Sequence, residues 1–171
     1  LRLQGLQDLV LVKPSDGGYK DGSGYLPLLN GDDYDSWIVD DVLSTVRETV
    51  ECVSDNSRIY ISGLSMGGYG ALRLGAKYPD IFSGISAHSS VTSLDDLTQF
   101  IVNPISDYEC AQQGEADVIY WLNKNKTRLP PLRFDCGRSD SLYDSNLILQ
   151  QQMKTLAIEH TFEAFDGEIG R

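Results

Sequence analysis

Short apolar runs alternate with helical patterns along most of the chain. The runs that predict strands are Arg58–Leu64, Phe82–Ala87, Leu132–Cys136 and Thr161–Phe165. A further continuous apolar run, Leu9–Val12, closes at Lys13-Pro14 and predicts one more buried strand. Strands that alternate with helices are typical of a mostly parallel sheet with helices packed on it. The pattern therefore predicts an α/β fold in a single domain, residues 1–171.

Three segments have the three- and four-residue apolar spacing of amphipathic helices. The first runs from about Ser36 to Val53, with candidate core positions Ile38, Val42, Val46, Val50 and Val53. The second is Met66–Tyr78, which ends before Pro79. The third is Asp144–Ala157, with candidate core positions Leu147, Leu149, Met153 and Leu156.

Two longer segments separate these elements. The glycine-rich stretch from Asp16 to Asn30 predicts a long loop, and Leu94–Arg128 predicts an irregular, partly helical insertion. Long loops in compact domains are often functional, so we expect both segments to shape a substrate pocket. A calcium loop within Asp16–Asp35 is a disfavoured alternative, because its acidic spacing fits no standard ligand set.

The charge of the chain excludes several classes of partner. The net charge is -11, whereas nucleic-acid binding needs clustered Lys and Arg. The same charge disfavours docking on anionic membranes, and no apolar run approaches the ~20 residues of a membrane span. No signal peptide opens the sequence, and the first residue is not Met, so we expect the natural N-terminus to lie upstream.

The cysteines and histidines favour neither a disulfide framework nor a metal site. Cys52, Cys110 and Cys136 predict three reduced, mostly buried thiols in a cytoplasmic protein; one disulfide in an exported protein is the alternative. His88 and His160 are too few to build a typical zinc site. The sequence implies no metal or organic cofactor and carries no signal for oligomeric state.

The strongest local motif is Gly63-Leu64-Ser65-Met66-Gly67, placed between a predicted strand and a predicted helix. A G-x-S-x-G string in this context predicts a nucleophile elbow, in which a strained turn lifts the Ser65 hydroxyl above the sheet. Side chains two residues before and after the serine are expected to collide, which explains glycine at both places. The backbone amide of Met66 is then placed to stabilise an oxyanion. The alternative is a glycine-rich helix start in which Ser65 serves only as an N-cap.

Two blocks of the sequence resemble one family. GLSMGGYGALRLGAKYPDIFSGISAHSS and FDCGRSDSLYDSN are similar to the esterase D-like family, which includes S-formylglutathione hydrolases, tributyrin-type esterases and feruloyl esterases. The resemblance spans nearly the whole chain. It implies an α/β-hydrolase three-layer sandwich with a mostly parallel sheet, and in this chain we expect the N-terminal strands and the C-terminal helix of that sandwich to be missing.

The resemblance also implies that Asp140 is the acid of a Ser-Asp-His triad. The order of residues agrees, because the triad acid follows a strand on the C-terminal side of the nucleophile. From the residues alone, a turn-forming role for Asp140 is equally favoured. Asp144 is a rival that we expect to cap a helix, and Asp135 lies inside a strand.

The chain departs from the family pattern at its two ends. Ile169 stands where the family has its catalytic histidine, and an isoleucine cannot transfer protons. The upstream His-Gly loop, which in the family supplies the second oxyanion amide, has no counterpart in the sequence. His160 precedes the last strand and is expected at the wrong end of the sheet. His88 follows the strand beside Ser65 and is a candidate for the rim of the site, though a poor one for the base.

These observations predict a serine esterase that acts on a small-molecule ester through an acyl-Ser65 intermediate, with a truncated chain or an altered tail. A non-catalytic binding relative is the alternative that the loss of the base favours. An acyltransferase that uses the same acyl-enzyme is a third reading.

Overall fold

A computed structural model describes residues 9–167 of the chain. Its centre is a four-stranded sheet of order β1-β2-β3-β4 in which all neighbouring strands are parallel. The strands are β1 (Ile59–Leu64), β2 (Phe82–His88), β3 (Leu132–Gly137) and β4 (Thr161–Phe165). Each agrees with a predicted strand to within one residue, and the α/β class is confirmed.

Five helical elements connect and flank the strands. Helix α1 runs through three consecutive segments: α-helical Tyr34–Ser36, π-helical Trp37–Val42 and α-helical Leu43–Thr49. The others are α2 (Met66–Lys77), α3 (Leu94–Leu97), α4 (Val118–Lys124) and α5 (Tyr143–Thr155), with a 3₁₀ turn at Ile105–Tyr108. Helix α1 begins two residues earlier and ends four residues earlier than its spacing predicted. Of its residues only Asp35, Ile38 and Val39 are buried, so Ile38 is the one predicted core position that is buried. Of the core positions predicted for α5, Leu149 and Met153 are buried.

The described helices pack on one face of the sheet. Strand side chains on that face join the main core, among them Ile85, Ala87 and Phe134. Side chains of the opposite parity are accessible: Tyr60 is 58% and Leu64 52% exposed. Within residues 9–167 the third layer implied by a three-layer sandwich is therefore not present.

The predicted strand Leu9–Val12 is wrong. These residues form no strand, and their side chains are 39–66% exposed. A parallel strand needs a neighbour for its backbone hydrogen bonds. Beyond β1, the part of the chain that the structure describes offers no strand to pair with it.

None of the helices within residues 9–167 is long and apolar enough to cross a membrane.

Candidate active site

Ser65 occupies a sharp turn between β1 and α2. Its backbone angles are φ 55° and ψ −118°, a region that a non-glycine residue enters only at a cost of order 1–3 kcal/mol. Although Ser65 precedes the helix, its side chain makes no capping hydrogen bond. The N-cap alternative therefore lacks its defining contact, and the strained turn has the form of a nucleophile elbow.

Three backbone hydrogen bonds hold this turn. The Ser65 amide donates to the carbonyl of His88 at 3.0 Å, which extends the pairing of β1 with β2 by one residue. The Ser65 carbonyl accepts from the amides of Tyr69 and Val91 at 3.1 and 3.2 Å. The strain at Ser65 is thus supported by both the helix and the neighbouring strand's exit loop.

The glycines around Ser65 differ in what they permit. A Cβ at Gly63 would lie 2.0 Å from the carbonyl oxygen of Gly67, so a side chain there is excluded. A Cβ at Gly67 would meet only the Tyr25 hydroxyl, at 3.9 Å. The expectation of a collision on both sides of the serine is therefore wrong for Gly67. Gly68 allows close approach to Ser90, where a Cβ would lie 2.9 Å from that side chain.

The Met66 amide directly follows Ser65 at the start of α2. Met66 is the first residue of α2, and the first amides of a helix have no acceptor within the helix. They carry the positive end of the helix dipole. An oxyanion formed on a carbonyl attached to Ser65 would face this end.

Asp140 follows β3 by three residues, at the carboxyl end of the sheet where Ser65 also lies. One strand, β2, separates β1 from β3, so the strand axes are about 10 Å apart. Asp140 is partly buried, and its Oδ1 accepts from the amide of Leu142 at 3.0 Å. This bond gives Asp140 the turn-forming role that the residues alone left equally favoured, and within residues 9–167 Asp140 makes no hydrogen bond with Ser65.

The rivals of Asp140 have other partners. Asp144 lies exposed in the first turn of α5, whose N-cap is Leu142, so the predicted capping role of Asp144 is wrong. Asp135 lies inside β3, and its Oδ2 contacts His88 Nδ1 at 2.8 Å and Arg133 Nη2 at 3.2 Å.

The segment after β4 approaches the Asp140 loop. The amide of Arg138 donates to the carbonyl of Phe165 at 2.8 Å, and that of Ser139 donates to Gly167 at 3.0 Å. The chain therefore leaves β4 beside the loop that carries Asp140. Ile169, where the family pattern has its histidine, lies outside the described residues.

The hydrogen bonds of both histidine rings are made to groups other than Ser65. The His88 backbone is beside Ser65, as predicted, but its ring contacts Ser86 Oγ at 3.1 Å as well as Asp135. Ser86, His88 and Asp135 all have the parity of the sheet face that carries no described helix. His160 precedes β4, at the other end of the strands, and its Nδ1 lies 2.8 Å from the Ile158 carbonyl oxygen.

Sequence reasoning missed Tyr25 as a neighbour of the elbow. Its ring lies against Gly70, where a Cβ would be 2.4 Å from the ring, and burial raises the pKa of its hydroxyl. The Met66 sulfur packs on Gly22, where a Cβ would be 2.5 Å away. Only the glycine-rich composition of this loop signalled a close approach.

The acidic loop residues are occupied by protein contacts. Asp16 accepts from the amides of Gly18 and Ser23 at 3.0 and 3.3 Å, and Asp33 caps α1. Between residues 9 and 167, no group of three or more His, Cys, Asp or Glu side chains has the arrangement of a metal site. Two surface clefts of about 400 and 780 Å³ flank α1 and the insertion, and neither is lined by Ser65 or Asp140.

Comparisons with known proteins identify the family of the chain. The family model described as "Putative esterase" matches residues 30–128, more than half of the chain. The acetyl esterase of Caldicellulosiruptor saccharolyticus is 26% identical over 150 residues, which cover 78% of this chain and 56% of that protein.

Two solved structures from Staphylococcus aureus are each 26% identical to the chain. The fluorophosphonate-binding serine hydrolase F has a TM-score of 0.74, with 86% of this chain and 61% of that chain covered. An S-formylglutathione hydrolase has a TM-score of 0.71, with coverage of 85% and 60%. The chain thus spans about three fifths of the length of these relatives. With a family match over more than half of its residues, on an α/β-hydrolase-like fold, the chain belongs to the putative esterase family.

Proposed function

We propose that the protein is a serine carboxylesterase and that Ser65 is its nucleophile. The observation that carries the proposal is the strained backbone of Ser65 at the end of a parallel strand, without a capping bond from its side chain. A folded protein keeps such backbone strain only where the surrounding residues enforce it. Strained residues of this kind are concentrated at functional sites. Membership of the esterase family and the likeness to a fluorophosphonate-binding serine hydrolase support the same chemistry.

The proposed reaction follows the two-step course of serine hydrolases. Ser65 Oγ attacks the ester carbonyl carbon while a base takes its proton, and the Met66 amide donates to the oxyanion. The C–O bond to the alcohol then breaks, and the alcohol leaves with the proton. Water hydrolyses the acyl-Ser65 ester by the same steps. Asp140 is proposed to orient the base, and the base itself is to be sought in the segment that follows β4.

A non-catalytic ligand-binding relative is the second candidate. The observation that favours it is that both described imidazoles contact other groups than Ser65. Ile169 at the expected position of the base favours it as well.

A fluorophosphonate probe distinguishes the two candidates. The full natural protein is incubated with the probe, and covalent labelling is measured by mass spectrometry beside Ser65→Ala. Labelling at Ser65 that is lost in the variant supports the esterase. Ser44→Ala, which removes a hydroxyl of α1 that donates only to a backbone carbonyl, is the matched control and is expected to label like the unaltered protein. Absence of labelling in all three proteins would support the binding relative.

A further inference from the structure

Arg73 is a fully buried cation on α2, two turns beyond Ser65. Its Nη2 donates to Asp35 Oδ2 at 3.0 Å, and its Nη1 donates to Glu115 Oε1 at 2.7 Å. Lys77 Nζ donates to the same two oxygens, at 2.8 and 2.6 Å. The four side chains form a closed ring of two cations and two anions, which we call the ion ring.

The ion ring joins three separate parts of the fold. Asp35 lies at the start of α1, just after the loop Asp16–Asn30, and Glu115 lies in the insertion. Both carboxylates are at most 3% exposed. The Glu115 carbonyl additionally accepts from Arg73 and from Trp121 Nε1, at 3.3 and 3.0 Å. Helix α1 and the insertion are thereby attached to the helix that begins at the elbow.

Arg73 also holds the backbone of Tyr25, since its Nη2 donates to the Tyr25 carbonyl. Tyr25 has φ 56°, a conformation that a bulky residue adopts only when its surroundings enforce it. The Tyr25 ring packs on Gly70 and its neighbour Gly22 packs on Met66. The segment Gly22–Tyr25 therefore lies against the first two turns of α2, the helix that begins at the residue after Ser65.

Stability alone does not account for this arrangement. Apolar side chains of similar volume would often stabilise such a site as well or better, because burying four charges has a large desolvation cost. Arg73 Nε is buried and has no hydrogen-bond partner in the described residues. A rigid guanidinium group does something that apolar packing does not. It holds several hydrogen-bond acceptors in fixed positions relative to one another.

We infer that the ion ring positions the Gly22–Tyr25 segment as a wall of the substrate pocket beside Ser65 and so sets the size of ester that is accepted. This inference rests on the proposed esterase function. Arg73 acts through the segment and is a positioning residue, whereas Tyr25 is part of the wall itself.

Selectivity between two esters tests the inference. In the full natural protein, kcat/KM is measured for p-nitrophenyl acetate and p-nitrophenyl hexanoate. Arg73→Met is expected to change the ratio of the two values at least fivefold, with Arg73→Lys between that variant and the unaltered protein. Met153→Ala, which opens a cavity in the core at a fully buried position of α5, is the control. Its ratio is expected to be unchanged, because lost active protein lowers both values equally.

Limited proteolysis measures how firmly the same segment is held, and it does not depend on enzyme activity. Lys20 is exposed in the loop, so trypsin cleavage after Lys20 reports release of the loop. At a temperature where both variants are folded, cleavage is expected to be about tenfold faster in Arg73→Met than in Met153→Ala. If Arg73→Met does not fold, Lys77→Met, whose side chain is partly exposed, takes its place.

The outcomes separate the two ideas. An active enzyme whose selectivity and Lys20 cleavage in Arg73→Met match those of Met153→Ala overturns the inference and leaves the esterase intact. A natural protein that neither hydrolyses esters nor binds fluorophosphonate overturns the esterase and, with it, the size selection. In that case, faster cleavage after Lys20 in Arg73→Met than in Met153→Ala would still support the positioning of the segment by the ion ring.

Discussion

His88 Nδ1 lies 2.8 Å from Oδ2 of Asp135, across the pairing of β2 with β3. The His88 carbonyl meanwhile accepts from the Ser65 amide. The backbone of His88 thus supports the elbow, whereas its ring belongs to a polar row on the sheet face that carries no described helix. Proximity in sequence and register to the nucleophile does not make this imidazole its base.

His88→Gln is therefore expected to leave Ser65 reactivity nearly unchanged. The backbone bond to Ser65 is retained, so fluorophosphonate labelling should stay within about threefold of the natural protein. The free energy of unfolding should fall by about 1–2 kcal/mol, because Asp135 loses a hydrogen-bond partner in a mostly buried position. A loss of labelling by several orders of magnitude would instead identify His88 as the base.

Gly63→Ala and Gly67→Ala are expected to differ sharply. An added Cβ at Gly63 would meet backbone at 2.0 Å, so the elbow must deform, and we expect a loss of at least about 3 kcal/mol in the free energy of unfolding. At Gly67 the added methyl has space, and alanine is favoured over glycine in a helix by up to about 1 kcal/mol. Urea denaturation of both variants tests this pair. Equal destabilisation would show that both glycines are sterically required.

The elbow could be predicted from sequence because its constraints are local: a strand, a serine and glycines within a few residues determine the turn. The sheet face on which a strand side chain lies is harder to predict from the sequence than the elbow. For His88 this face follows from strand parity and from the pairing with Asp135. The prediction of a strand at Leu9–Val12 was wrong because a strand also requires a neighbouring strand, and a local sequence pattern does not show whether one is present. The ion ring could not be predicted from the sequence, because Arg73 contacts Asp35 and Glu115, which are 38 and 42 positions away along the chain.

Asp96 is expected to make stability depend on pH. Burial raises the pKa of Asp96, but hydrogen bonds from Ser145 and Thr92 more than offset this, so the pKa lies below its ordinary value. A carboxylate with a lowered pKa in the folded state stabilises the protein above its unfolded pKa, about 3.9, and this stabilisation is lost as the pH falls through the folded value.

Ser145→Ala removes the shortest of these bonds, at 2.6 Å from Asp96 Oδ1. We expect it to lower the free energy of unfolding by about 1.5–3 kcal/mol at pH 7, since a hydrogen bond to a charged group is lost. The difference from the natural protein should shrink as the pH falls from about 3.9, the unfolded pKa, through the lower pKa that Asp96 has in the folded protein. Ser44→Ala, whose hydroxyl donates only to a backbone carbonyl, is the control. A Ser145 effect as independent of pH as that of Ser44 would contradict the prediction.

The three cysteines are expected to react with thiol reagents at very different rates. All three are free, Cys52 is exposed, and burial raises the pKa of both Cys110 and Cys136 to about 11. The expectation of mostly buried thiols is thus wrong for Cys52. Because the thiolate is the nucleophile, only about one in a thousand molecules is reactive at Cys110 or Cys136 at pH 8.

Iodoacetamide at pH 8, followed by mass spectrometry, should modify Cys52 at least fiftyfold faster than the other two cysteines. Cys52→Ser should then remain almost unmodified over the same period. Raising the pH from 8 to 9 should accelerate reaction at Cys110 about tenfold, because the thiolate fraction of a group with a raised pKa grows tenfold per pH unit below it. Rapid modification of Cys136 in the folded protein at pH 8 would contradict its burial beneath Ser89, whose hydroxyl lies 3.7 Å from Sγ.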